Sequence, residues 1–580
     1  MLVPNRPNSL SGLHCIRSRS ASDTLFILAS LAGFLVLVGG LSVLGFGVGL
    51  HIGPLGEDYH WIDMLQRGPG AEAARLLWSF DYRNPLSPWW YIAARDLILN
   101  LDAGLLVLRY AIATLLAFSS YLLVITIAGR RARPFALGLA VLILFWMANR
   151  YPDHVVWNFQ GALAASILTV ATYARFLTHR RQPCHLYAAS LVLWFIAFAT
   201  YTVQCGAVLA IGYLALRDAL SQSTGRSFIL PRLGRAATDI VPYVVLFGLF
   251  ILIWQTTMGP LADDIALQFH ASALFGSLRE GLSGDVLLFY LWALNSPHRL
   301  AFVAAAAACS GLAFLALQLR GVWSKEDVPG ITGTALLDLV SVIACLALPT
   351  VLLESSSTLW APGTRWPMIY QVTTPAFLLA LVSAVAFGLP RSVRAPLFWN
   401  GAVALAIGIG ALFSLGHNRV QNAFVTNETF VRNSIRNLIP EDRACGRSSP
   451  KQVLLMLEDN SRLWWRSGDV LSPTIARVWF HGADISFRLV PWAPPLEDAW
   501  RPWWRIRFGL DSEGIGNAKV GGGTLSYDQV AILEVRDGTA RRIRHLERQD
   551  LRNWDVDWAR ETPIDLSSPL CPTSPDQLVR

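Results

Sequence analysis

The sequence predicts an all-α polytopic membrane bundle of about eleven transmembrane helices, followed by a C-terminal extracytoplasmic mixed α/β domain. Three observations predict it. Of the 580 residues 53% are hydrophobic and 15% charged, too apolar a balance for a soluble enzyme. Apolar runs long enough to span a bilayer recur near residues 25–50, 103–128, 134–150, 160–177, 186–200, 203–217, 237–256, 300–319, 335–353, 367–388 and 397–413. After Phe413 the composition turns polar and stays so to the C-terminus.

The first run follows Arg6, Arg17 and Arg19 and so has the charge pattern of a signal peptide, but from Leu25 to Leu50 it is ~39 Å long as a helix, beyond a signal-peptide core. It reads as a transmembrane helix behind a cytoplasmic tail, residues 1–24. With eleven alternating helices, Arg130, Arg131 and Arg133, Arg180 and Arg181, the stretch from Arg217 to Arg235, Arg320 with Lys325, and Arg391 with Arg394 all fall on the tail's side. Cytoplasmic loops carry that excess of positive charge. The transmembrane domain therefore covers 25–415, with a first external loop at 51–102, and residues 416–580 form a periplasmic domain.

The first loop is too long for a plain connection and should carry structure of its own. Asp58, Trp61, Ile62 and Leu65 fall on one helical face, and Pro88 to Leu101 reads as a second amphipathic helix bearing Trp89, Trp90, Arg95 and Asp96. Both suit the membrane surface, where tryptophan is at home. The pair of runs between Leu186 and Leu216 is separated only by Thr200, Tyr201, Thr202 and Gln204, and reads either as two helices or as one bent helix.

In the tail, His417 to Ile439 reads as a helix, and Gln452 to Leu457, Ile475 to Phe480, Ile485 to Val490, Trp504 to Phe508 and Gln529 to Val535 as short strands between Gly, Pro and Asp breaks. The seven cysteines form no CxxC and no Cys/His cluster at metal spacing. Cys184, Cys205, Cys309 and Cys345 lie in or beside apolar runs and read as small core residues; Cys445 and Cys571 bracket most of the tail and pair only if the compartment is oxidising. The net charge of +8 sits in short loops, without a basic stripe interleaved with aromatics, so nucleic acid is not an expected partner.

Ionisable groups where a helix leaves the bilayer are costly and unneeded for spanning. Glu57 and Asp58, followed by His60, stand there. Moving a sugar from a phosphate-linked carrier to a hydroxyl needs a carboxylate to take the acceptor proton and cations to hold the departing phosphate. The plain alternative is that Glu57 and Asp58 only cap a helix beginning at Tyr59. Asp153, between the third and fourth runs, is a second external acid, and equally a polar turn residue after Pro152. Asp263 and Asp264 form a further external pair. Arg365, beside the tenth run, is placed to grip a lipid phosphate with its fork, or to snorkel to headgroups. Arg83 and Arg95 are weaker candidates for that grip, and His60 and His154 for proton transfer or substrate binding, against simple amphipathic packing. A metal-dependent version would put Mg²⁺ or Mn²⁺ on Glu57, Asp58 and Asp153; no cofactor is otherwise called for.

A first transmembrane helix, an acidic pair opening a long external loop with two amphipathic helices, and a short acidic link between helices three and four resemble the GT-C superfamily of polyprenyl-phosphate-sugar glycosyltransferases. The bacterial envelope members that decorate O-antigen or other surface polysaccharide are the nearest in pattern. The resemblance covers about residues 25–415 and implies an inverting transfer, with Asp58 as base or metal ligand beside Glu57, Asp153 contributing, and Arg365 on the carrier phosphate. It implies a polyprenyl-phosphate sugar as donor and a glycan or lipid as acceptor, met at the external face among membrane lipids. An ordinary aspartate, with a pKa of about 3.9, takes such a proton only as the bond forms. The chain departs from the family's Asp-Asp pair by having Glu-Asp, and it lacks a WWD-type signature.

A multi-pass transporter or flippase is the rival of another class; it would place its charges at the midplane, often in repeated halves. An O-antigen ligase or polymerase would concentrate polar residues in a late loop. A catalytically silent assembly protein would keep the bundle for its shape alone.

Overall fold

In a computed structural model the described residues are 9–49, 58–68, 70, 72–73, 75, 84–100, 103–129, 132–150, 157–179, 184–221, 229–258, 294–319, 333–356, 400–416, 418–419, 422, 429, 433, 452–457, 477–479, 486–491, 508–511, 514–517, 525–526, 530–536 and 539–543. The chain packs as two units, Met1–His51 with Ala74–Val420, and Ile52–Ala73 with Gln421–Arg580.

The first unit is helical throughout its described part: α1 (Ser9–Val43), α3 (Ser87–Ala93), α4 (Arg95–Leu99), α5 (Ala103–Ala128), α6 (Arg133–Arg150), α7 (Trp157–Thr178), α8 (Cys184–Thr200), α9 (Gly206–Ser221), α10 (Ile229–Met258), α11 (Arg299–Leu319), α12 (Gly333–Ser356) and α13 (Asn400–Gly416). The helix α2 (Asp58–Gln66) belongs to the second unit. Five of the helices have stretches long and apolar enough to cross a membrane: Asp23–Val43, Gly104–Ala128, Phe159–Thr178, Leu230–Ile253 and Arg299–Leu319. The expected run at 367–388 lies outside the described residues.

The exposed surface of these helices is itself apolar. On α10 Val241, Val244, Val245, Leu249, Leu252 and Ile253 all stand open, a band that water would penalise and lipid accepts. The inner face is close-packed, with Phe34 of α1 stacked on Phe145 of α6 at 4.4 Å. The helix α1 stops at Val43, short of the Leu50 that hydropathy suggested. Gly45, at φ +76°, lets the chain turn left-handed, the amide of Phe46 donates to the Leu41 carbonyl and that of Gly45 to Ser42. This pairing satisfies carbonyls that the helix end would otherwise strand.

The helices α7, α8 and α9 run alternately up and down. The aromatic ring of Tyr201 stacks on Phe159 in the first turn of α7, centroids 4.2 Å apart, so α8 has by then climbed the length of its neighbour. An extended Tyr201 (φ −152°, ψ 106°) and a 3-10 turn, Thr202–Cys205, break the chain there, and α9 packs back along α7. The stretch between Leu186 and Leu216 is thus two helices. Gly206 makes the return possible, because a Cβ would lie 2.6 Å from the Cys345 carbonyl oxygen of α12 and 2.9 Å from that of Leu346.

Three polar clamps bind the helices toward one end. Asp23 accepts from Arg133, which opens α6, and from Tyr121 of α5. Asp338 of α12 accepts from Tyr213 at 2.8 Å and pairs with Arg217 at 2.5 Å, both on α9. Tyr173 of α7 and Tyr187 of α8 donate to the Asp239 side chain and carbonyl on α10. The end of α5, start of α6, end of α7, start of α8 and end of α9 all fall there. At the opposite end Asn418 closes a reciprocal pair with Gly49, its carbonyl accepting at 2.9 Å and its amide donating at 2.8 Å.

Two sequence expectations are corrected. Pro88 to Leu101 is not one helix but α3 and α4, broken at Ala94 (φ −98°, ψ 9°), since Leu86 donates to the Ala199 carbonyl and fixes the first half against α8. Of the four described cysteines, Cys309 and Cys345 are half-buried and pack against the core, Cys205 is half-buried, and Cys184, which opens α8, is exposed rather than a core residue.

In the second unit the strands are β1 (Gln452–Leu457), β2 (Ser486–Pro491), β3 (Phe508–Asp511), β4 (Gly514–Asn517), β5 (Leu525–Ser526), β6 (Val530–Arg536) and β7 (Thr539–Ile543). One sheet runs β2-β1-β6-β7, with β1 parallel to both neighbours and β7 antiparallel; the other runs β3-β4-β5. Residues 477–479, expected in a strand from Ile475 to Phe480, are helical. Val478 and Trp479 are both buried, whereas successive residues of a half-covered strand face opposite sides.

Candidate functional site

The segment that opens the first loop is a packed helix. In α2 Tyr59, Trp61, Ile62, Asp63, Met64 and Leu65 are all buried, more than the single apolar face its sequence pattern implied. Tyr59 and Asp63, one turn apart, share a face, and that face meets residues 477–479.

Asp63 is the centre of the contact. Its carboxylate, with 6% of the side chain exposed, receives the Arg477 guanidinium twice over, Nε to Oδ1 at 3.0 Å and Nη2 to Oδ2 at 2.9 Å, and Arg67 Nη2 at 2.5 Å. A forked guanidinium on a carboxylate is both strong and directional. Beside it the indole Nε1 of Trp479 donates to the Tyr59 hydroxyl at 3.0 Å. Asp63 is therefore held as an ion-pair acceptor, which makes it an anchor.

Asp58 is the first residue of α2 and His60 the third; their side chains lie outside the described residues. So do Glu57, Arg83, Asp153, His154 and Arg365, together with Asp263, Asp264, Cys445 and Cys571. Arg95 opens α4 and is half-buried in the first unit. The helix start at Asp58 keeps both earlier readings of that residue, since a first-turn acid suits the helix dipole and is also held in a fixed place. Among the described residues no three His, Cys, Asp or Glu side chains gather as a metal would need.

At the end of the first unit away from the clamps, Trp90 of α3 donates through Nε1 to Thr200 Oγ1 at 2.9 Å. Phe46 meets His298 edge-on at 5.1 Å. Sequence reasoning passed over Asp63 and Arg477, and met Tyr59 and Thr200 only as a helix start and a break between helices. The Asp63/Arg67 spacing of four suits a helical ion pair, but nothing in it points to Arg477.

Comparison of the chain with protein-family models, with curated proteins and with solved structures finds no match in any of the three.

Proposed function

We propose that the chain is a membrane glycosyltransferase that moves a sugar from a polyprenyl-phosphate carrier to an envelope glycan or lipid on the outer face of a bacterial inner membrane. The observation that carries this reading is that an acid, Asp58, opens a packed helix soon after the first membrane-long helix, while the next acid, Asp63, is engaged by two arginines. A helix held so firmly supports a role for its first residues beyond surface capping.

In this reading Asp58 takes the acceptor proton as the new glycosidic bond forms, and the carrier phosphate leaves with the bonding electron pair, inverting the anomeric carbon. Glu57 and Asp153 support that carboxylate, and His60 and His154 contact substrate. Arg365, with Arg83 and Arg95, neutralises the departing phosphate, which needs cations more than a general acid. A metal-using variant of the step would take Mg²⁺ or Mn²⁺ on Glu57, Asp58 and Asp153.

Eleven spans with a cytoplasmic N-terminus go with this reading. The arginine-rich loops adjoin the end of the first unit where Asp23, Asp239 and Asp338 are clamped, which supports that end as cytoplasmic. The parallel β2-β1-β6 order, which needs crossover connections, supports a mixed α/β tail. Buried ion pairs toward one end of the helices fit a scaffold better than a midplane transport path.

The test is a strain lacking the gene. Its surface polysaccharide should lack one sugar by mass spectrometry while the lipid-linked form of that sugar accumulates in the outer leaflet; an unchanged polysaccharide would refute the reading.

A further inference from the structure

We infer that Arg477 and Trp479 are positioning residues for the proposed catalytic acid: the tail holds the helix that begins with Asp58, so that the transferase step depends on a contact between residues more than four hundred positions apart in the chain. The inference rests on the transferase reading and adds a role for the tail.

The first loop is divided between the two units. Ile52–Ala73 packs with the tail, whereas the rest of the loop, with α3 and α4, packs with the helices. Within the second unit α2 is held at two points on one face. The bidentate Arg477 fork takes Asp63, and Trp479 takes the Tyr59 hydroxyl while its ring stands at 82° to the tyrosine ring. Two points one helical turn apart fix both the axial position and the rotation of a nine-residue helix. A hinged attachment would need only one. Arg67 also reaches Asp63, but it lies on α2's own C-terminal side and cannot locate the helix against anything else. A displacement of about 1 Å at a reacting group is enough to cost about a hundredfold in rate, so the fork and the indole decide whether the acid is in place.

The test uses the full-length chain, in null cells and purified in detergent. Arg477→Met should speed hydrogen exchange of the α2 amides at least ~10-fold and lower sugar transfer about a hundredfold, with the amount of folded protein in the membrane unchanged. Arg477→Lys, which keeps charge without the fork, should fall between. Asp63→Met combined with Arg477→Met replaces the ion pair by apolar contact and should restore both exchange protection and transfer, which also guards against a single variant that merely misfolds. Unchanged α2 exchange in Arg477→Met would overturn the inference. So would faster exchange with full transfer, provided Asp58→Asn has abolished transfer. Full transfer by Asp58→Asn would instead overturn the transferase reading, and the positioning role with it.

Discussion

Tyr59 and Trp479 meet ring edge to ring face, centroids 6.0 Å apart, and the indole N–H donates to the tyrosine hydroxyl at 3.0 Å across 420 positions of sequence. Both side chains are buried, so the bond is made where water cannot replace it. Trp479→Phe should keep most of the packing and lose about 1 kcal/mol, and Trp479→Ala about 3–5 kcal/mol. Denaturant or thermal unfolding of the purified chain, followed at the tail, checks both; a Trp479→Phe variant as stable as wild type would mean that the hydrogen bond contributes nothing.

The Asp23 clamp makes a different prediction. Its carboxylate is 4% exposed as a side chain and depends on Arg133, with Tyr121 completing the set. Arg133→Met leaves a buried charge with one neutral partner and should cost about 3 kcal/mol. Asp23→Leu added to it should recover most of that loss. Thermal stability of the detergent-solubilised protein measures both, and a double variant no better than the single would show that the charge was never the problem.

Gly206 tests the helix reversal. A methyl there would press on two backbone carbonyls of α12 that cannot move aside as a side-chain tip would. Gly206→Ala should destabilise by about 1–3 kcal/mol, and Gly206→Val by more. Gly311, which has nothing within 4 Å of an added Cβ, is the control: Gly311→Ala should be neutral or slightly stabilising, since Gly costs a helix about 1 kcal/mol against Ala.

The turn after α1 rests on Gly45. At φ +76° any side chain is strained, so Gly45→Ala should cost about 1 kcal/mol, measured as a small fall in melting temperature. An increase would mean that the turn takes another conformation.

The helices were legible because hydropathy reports burial in lipid and each run stands alone in the sequence. The break between α8 and α9 was half legible, since Thr200, Tyr201, Thr202 and Gln204 interrupt the run, but only the Tyr201–Phe159 stack shows the chain reversing. The ends were less clear: Gly45 stops α1 while the apolar composition carries on to Leu50. The contact around Asp63 was not legible at all. Arg477 lies in a stretch whose Val, Trp and Phe favour a strand, and tertiary packing overrides that preference. Nothing local in either segment reveals its partner. For the candidate site, the sequence placed Asp58 beside a helix that the structure has as Asp58–Gln66, and overlooked the residues that hold that helix.

The central claim is that Asp58 performs chemistry. Cells lacking the gene, complemented with wild type or with Asp58→Asn at equal membrane abundance, should be compared by mass spectrometry of their surface polysaccharide. The account predicts that wild type restores the missing sugar and Asp58→Asn does not. Full restoration by Asp58→Asn would make Asp58 a helix-opening residue and nothing more, and would contradict the account.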